Sequence, residues 1–162
     1  MTGLRDIIRG CGEGRVCLMG LGDPGRGDDG LGVRLAEELD RLGVPDVVVA
    51  GTAPERCVGR VAEGAYDHLI LLDAVDFGGA PGSAIWLGGD ALASRCPQVS
   101  THRLSLGLLA RWVESCGKTR VWLLGVQPQS LKAAAGLSPA VRATADILRG
   151  WLCQDFAGRA PS

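Results

Sequence analysis

Short, uninterrupted apolar runs alternate with amphipathic helical patterns along nearly the whole chain, and this alternation constrains the fold most. Strands are expected at residues 15–21 (RVCLMGL), 47–50, 68–74 (HLILLDA), 84–87 and 120–126 (RVWLLGV). Between them, Leu31, Leu35, Leu39 and Leu42 recur at helical spacing, and Gly43-Val44-Pro45 ends the pattern. A short helix is expected at residues 55–62. A longer one at 104–114 carries Leu104, Leu108 and Trp112 on one stripe, with Leu109 and Val113 beside it. Ser138-Pro139 has the form of an N-cap with proline in the first turn, before a last helix with Val141, Ala145, Leu148 and Leu152 on its apolar face. Strands apolar throughout and separated by helices mean a sheet covered on both faces, a three-layer α/β class.

Composition narrows the function classes. At 162 residues and 46% hydrophobic, the chain has enough apolar surface for one substantial core. The 17 basic and 18 acidic residues leave a net charge of −1, a poor footprint for binding nucleic acid. No apolar run approaches the roughly 20 residues of a membrane helix, and the first residues lack the apolar segment of a secretory signal. A cytoplasmic location is therefore expected, with no membrane partner and with the six cysteines as thiols. No CxxC pair is present, which argues against a zinc knuckle. A monomer is the default expectation.

In such sheets ligands bind beyond the carboxyl ends of the parallel strands. The first strand runs into GLGDPGRGDDGLG, which holds Asp23, Asp28 and Asp29; the third ends in Asp73 and is followed by Asp76. His102 precedes the 104–114 helix. The glycine loop spells G-x-G-x-x-G, but its three carboxylates would repel a pyrophosphate, and the second strand ends without an acid for a ribose. Two carboxylates and an imidazole instead form an O, O, N set suited to a divalent transition metal, with open positions for substrate or water. Each residue alone has a plainer explanation, and Asp29 could cap the helix that begins at Gly30 or Leu31. An acid buried at the end of LILLDA, however, needs a partner, for which His102 is the candidate. His68 opens the strand that Asp73 closes, roughly 16 Å away by strand rise, and belongs to neither site nor metal set. Cys17 lies inside a strand and Cys96 six residues before His102; neither has an evident base. No G-x-S-x-G elbow occurs.

Five segments in this order, GLGDPGRGDDGLG, LILLDAVDFGGAPG, STHRLSL, VWLLGVQP and GLSPAV, resemble the maturation endopeptidases of nickel–iron hydrogenases, over about residues 15 to 152. The resemblance implies a three-layer α/β/α fold of phosphorylase/hydrolase-like type, with a twisted, mostly parallel five-stranded sheet. It also implies an aspartic-type peptidase that clips the C-terminal extension from the hydrogenase large-subunit precursor once nickel is inserted. The metal-contacting positions correspond to Asp29, Asp73 and His102, with nickel supplied inside the precursor. On this reading residues 1–14 are an N-terminal extension, 15–154 the catalytic domain and 155–162 a tail. The five glycines at positions 20, 22, 25, 27 and 30 would let the loop's backbone approach a protein substrate. Asp23 stands where the family usually has Asn. The competing class is a non-catalytic, metal-sensing chaperone of the same large subunit. GLGDPG also resembles the GLGNPG opening of peptidyl-tRNA hydrolase, but the continuation DDGLG and the net charge separate the two.

Overall fold

The computed structural model describes residues 3–95 and 105–159. Five strands, β1 (Val16–Leu21), β2 (Val47–Gly51), β3 (His68–Ala74), β4 (Ala84–Gly88) and β5 (Arg120–Val126), form one sheet in the order β2-β1-β3-β5-β4. The first four positions in that order are parallel, and β4 is an antiparallel edge on β5. The sheet is therefore mixed but mostly parallel, as expected. Among the described residues six α-helices flank it: α1 (Leu4–Gly10), α2 (Leu31–Arg41), α3 (Val58–Gly64), α4 (Gly89–Arg95), α5 (Leu106–Ser115) and α6 (Pro139–Phe156).

The pleat sends alternate residues to opposite faces and so builds two cores. Leu18, Ile70, Leu72 and Leu124 meet Leu31, Leu35 and Leu39 of α2, Val141, Leu148 and Leu152 of α6, and Ile8 of α1. Cys17, Met19, Leu69, Leu71 and Leu123 meet Val58 and Val61 of α3, Leu92 of α4, and Leu106, Leu109 and Val113 of α5. Burial of apolar area on both faces is the main stabilising term of this architecture.

The structure departs from the periodicity argument on α5. Its buried face is Leu106, Leu109, Ala110 and Val113, whereas Leu108 and Trp112 are 55% and 47% exposed. Two apolar stripes lie side by side on this helix, and periodicity alone does not say which of them the sheet covers. Leu42 likewise falls outside the buried stripe of α2, one residue past its end. The short helices α1 and α4, seven residues each, had no clear apolar period. Helix α1 packs on α6, with Arg5 hydrogen-bonded to Gln154 and Arg9 3.6 Å from Asp155. Beyond the buried Phe156, Arg159 bonds back to the carbonyl of Gly12.

The chain leaves β1 toward β2 on one side and leaves β3 toward β4 and β5 on the other, so the connections from these adjacent strands run in opposite directions. The carboxyl ends of β1 and β3 thus flank a topological switch point, where doubly wound sheets open a crevice.

Candidate active site

Two close approaches bring the carboxylates of the glycine loop to that crevice. Gly22 follows β1 with φ +113°, and a β-carbon there would overlap the carbonyl oxygen of Asp29. The loop is thereby folded back onto the 3-10 turn Gly27–Gly30 that carries Asp28 and Asp29. Gly32, in the first turn of α2, lies against the carbonyl oxygens of Leu72 and Leu21, leaving no room for a side chain. Helix α2 therefore sits directly on the ends of β1 and β3. Asp29, just ahead of α2, and Asp73, in register with Gly125 of β5, are carried to the same end of the sheet. They are only 3% and 1% exposed.

Asp29 is not a helix cap. Gly30 occupies the N-cap of α2 without a side-chain bond, and the Asp29 carboxylate turns back to accept the backbone N–H of Asp23 at 3.0 Å. Asp23 in turn accepts from Gly25 N at 2.8 Å through its side-chain oxygen, an Asx turn that an asparagine could equally make. The acid at position 23 is thus compatible with the loop's conformation and adds charge to it.

Its neighbour Asp28 points elsewhere. One oxygen accepts from Gln129 N (2.8 Å), Ser130 N (3.3 Å) and the Ser138 hydroxyl (2.8 Å), and the other accepts from Ser138 N (2.7 Å). Burial pushes this carboxyl's pKa up, but the bonds from Ser138, Gln129 and Ser130 outweigh it and hold the group below its ordinary value. The positive end of α6 adds to the same preference for a charged carboxylate. Ser138 is the N-cap residue of α6, as the sequence indicated, yet its hydroxyl serves Asp28 and makes no cap bond. Asp28 pins the glycine loop to the segment after β5, a role its place in the DD pair does not reveal.

A second clamp was not visible in the sequence either. The buried Gln127, immediately after β5, accepts from Phe77 N (2.8 Å) and Gly79 N (3.1 Å) and donates to Asp76 (3.0 Å). It fixes the loop that leaves β3. Asp76 is exposed, and the bonds from Gln127 and Gly78 N lower its pKa.

This fold has solved counterparts. A NiFe hydrogenase maturation protease, HycI, from Thermococcus kodakarensis KOD1 superposes with a TM-score of 0.80 at 30% identity, covering 92% of this chain and 97% of its own. The hydrogenase maturating endopeptidase HybD of E. coli does so at 0.71 and 30%, covering 86% and 88%. By sequence, the hydrogenase 2 maturation protease of Escherichia coli (strain K12) is 34% identical over 137 residues, 80% of this chain and 82% of that protein. The family model described as hydrogenase maturation protease matches residues 33–152. The chain belongs to the hydrogenase maturation protease family.

Two members of the O, O, N set expected for this family, Asp29 and Asp73, are buried at one end of the sheet. The third, His102, lies outside the described residues, as does Cys96. Among the described residues no group of three or more His, Cys, Asp or Glu side chains is placed to hold a metal ion. The donor chemistry of the pair fits a divalent cation: two carboxylates shielded from water at a strand end and a helix start attract positive charge strongly.

His68 and Cys17 lie away from this end of the sheet or inside the core. His68 is at the other end of β3, where its Nδ1 accepts from Trp122 Nε1 at 3.0 Å. Cys17 is fully buried, and burial followed by the nearby Asp46 pushes its thiol up to about 12, far from a nucleophile's range. Among the described residues all five cysteines are free thiols. The glycines serve the loop's own packing more than was expected: positions 20, 22 and 30 are filled from inside by Ala36, Asp29 and Pro24.

Proposed function

We propose that this protein is a peptide-bond hydrolase that removes the C-terminal extension from the large-subunit precursor of a nickel–iron hydrogenase. In this reading Asp29, Asp73 and His102 gather around nickel carried in the precursor, within a catalytic domain spanning residues 15–154. The observation that carries it is the burial of Asp29 and Asp73 together at the switch point, in a member of a family of hydrogenase maturation proteases. Carboxylates shielded from water in this way attract a neighbouring cation more strongly than exposed ones do.

The precursor's metal is substrate here, and it supplies positive charge at the scissile carbonyl or at an attacking water. The chain's own part is to hold and orient. Asp23 N fixes one oxygen of Asp29, the β3–β5 ladder fixes the backbone of Asp73, and Asp28 ties the glycine loop to the segment after β5. A carboxylate fixed in this way can also take a proton from water as a general base. Selectivity follows from the same arrangement, because a precursor without metal does not complete the site.

The test is the intact mass of a nickel-loaded large-subunit precursor after incubation with the purified protein, beside a nickel-free precursor. Loss of a C-terminal fragment from the loaded form alone is the expected result. A stable complex with unchanged mass would move the assignment to a metal-sensing chaperone.

A further inference from the structure

We infer that Arg26 and Lys132 form a carboxylate-recognition subsite that holds the peptide segment released by the cleavage. This inference rests on the peptidase reading above and assigns the part of the substrate that the metal does not reach.

An open cavity of about 510 Å³ lies beside the strand ends, lined among others by Arg26, Asp76, Gln127, Gln129, Ser130 and Lys132. Gln127 is two residues past Gly125, the partner of Asp73 in the β3–β5 register. The cavity therefore begins about 7 Å beyond Asp73 along the strand direction, two residues of extended peptide.

Its walls are fixed before any ligand arrives. On one side the glycine loop is tied to the segment after β5 by Gly27 N to Ala134 O (3.0 Å), Ala134 N to Gly25 O (3.3 Å) and the four bonds to Asp28. On the other, Gln127 holds the loop bearing Asp76. A preformed wall loses little ordering entropy on binding.

Both cations line this one cavity, Arg26 from the glycine loop and Lys132 from the segment after β5. Arg142 and Arg149 pair with Glu38, and Lys118 with Asp67. Among the described residues neither Arg26 nor Lys132 is in an ion pair. Arg26 donates its Nε to the Leu131 carbonyl at 3.3 Å, which orients the guanidinium and leaves its two terminal nitrogens to fork onto a carboxylate. Lys132 follows one residue later on the same wall, its backbone N–H held by the Ser130 hydroxyl at 3.2 Å. The carboxylate of Asp76 is directed to Gln127 and Gly78 N. An acidic peptide group approaching Asp29 and Asp73 unaided would be repelled, and two unpaired cations offset that repulsion a few residues from the scissile bond.

The carboxylate can come from an Asp or Glu side chain of the extension or from its terminal carboxyl. Steady-state cleavage of nickel-loaded precursor is compared for wild type, Arg26→Ala, Lys132→Ala and Arg26→Lys. KM is expected to rise about tenfold in each alanine variant with kcat unchanged, and Arg26→Lys to recover much of the loss. A precursor whose extension acids are changed to amides should show the same KM rise and gain nothing further from Arg26→Ala. If the terminal carboxyl is the ligand, that precursor behaves as wild type and one lengthened by two glycines shows the rise. Unchanged KM in both alanine variants, or a fall in kcat alone, overturns the inference while leaving the peptidase reading intact. Fluorescence anisotropy of a labelled synthetic peptide of the extension, run on the same proteins, decides the subsite even if no precursor is cleaved. Equal affinity for wild type and both alanine variants would again reject it.

Discussion

The two ends of the sheet carry open cavities of similar size and comparable numbers of charged side chains, yet they handle charge in opposite ways. At the amino-terminal end of β5 a cavity of about 470 Å³ is lined by Glu114, Lys118, Arg120 and Trp122, among others. There Lys118 pairs with Asp67 at 3.0 Å, Glu114 accepts from Val121 N at 3.1 Å, and His68, Trp122 and Trp86 form a stacked, hydrogen-bonded group. Those groups are exposed or half-buried and are neutralised by solvent and by one another. At the carboxyl end Asp28, Asp29 and Asp73 are all nearly inaccessible. Cavity size does not separate the two ends; the burial of charge does.

The sharpest way to break this comparison is to neutralise the buried pair. Asp29→Asn and Asp73→Asn are expected to lower kcat/KM for nickel-loaded precursor by about a thousandfold or more, with the fold retained. Gly22→Ala should follow. It places a β-carbon onto the Asp29 carbonyl at a φ that L-residues avoid, and a loss of about 3 kcal/mol by urea denaturation is expected, with cleavage impaired as well.

Asp28→Asn comes next. Both carboxylate oxygens accept from donors, so an amide nitrogen in either orientation faces at least one N–H or O–H; about 2 kcal/mol should be lost. Its pH signature is specific. The folded-state pKa of Asp28 lies below the unfolded value, so its contribution is complete above the ordinary carboxylate pKa and disappears as pH falls through the folded one. Wild type should therefore lose stability on acidification below about pH 4 more steeply than the Asn variant.

The smallest effect belongs to the other end. Trp122→Phe removes the donor to His68 Nδ1 and should cost about 1 kcal/mol without altering kcat. Burial holds the His68 pKa below its ordinary value, so its share of stability is present above the unfolded pKa and lost as pH falls through the folded one. Nuclear magnetic resonance titration should show that pKa rising in the Phe variant. A drop in cleavage comparable to that of Asp29→Asn would erase the distinction between the two ends.

Much of the fold was legible because strands such as HLILLDA and RVWLLGV are apolar throughout and bounded by turns; β3 and β5 fall at the expected residues. Asp73 stands out in the sequence because it terminates an apolar strand, whereas Asp29 was singled out within the loop by the family resemblance. Asp28 could not be separated from Asp29, since its role depends on Ser138, 110 residues away in sequence. Gln127 gave no local signal, because a buried amide bridging two loops has the sequence appearance of any surface glutamine. The orientation of α5 was likewise settled by the sheet it packs against, not by its own pattern.

The account's central claim is a division of labour between adjacent acids, with Asp29 acting and Asp28 holding. The most direct measurement is thermal unfolding and nickel-dependent precursor cleavage recorded side by side for Asp28→Asn and Asp29→Asn. The expected result is a clear fall in Tm with residual cleavage for the first, and a near-wild-type Tm with no cleavage for the second. Full cleavage by the Asp29 variant, or complete inactivity with unchanged Tm in the Asp28 variant, would contradict it.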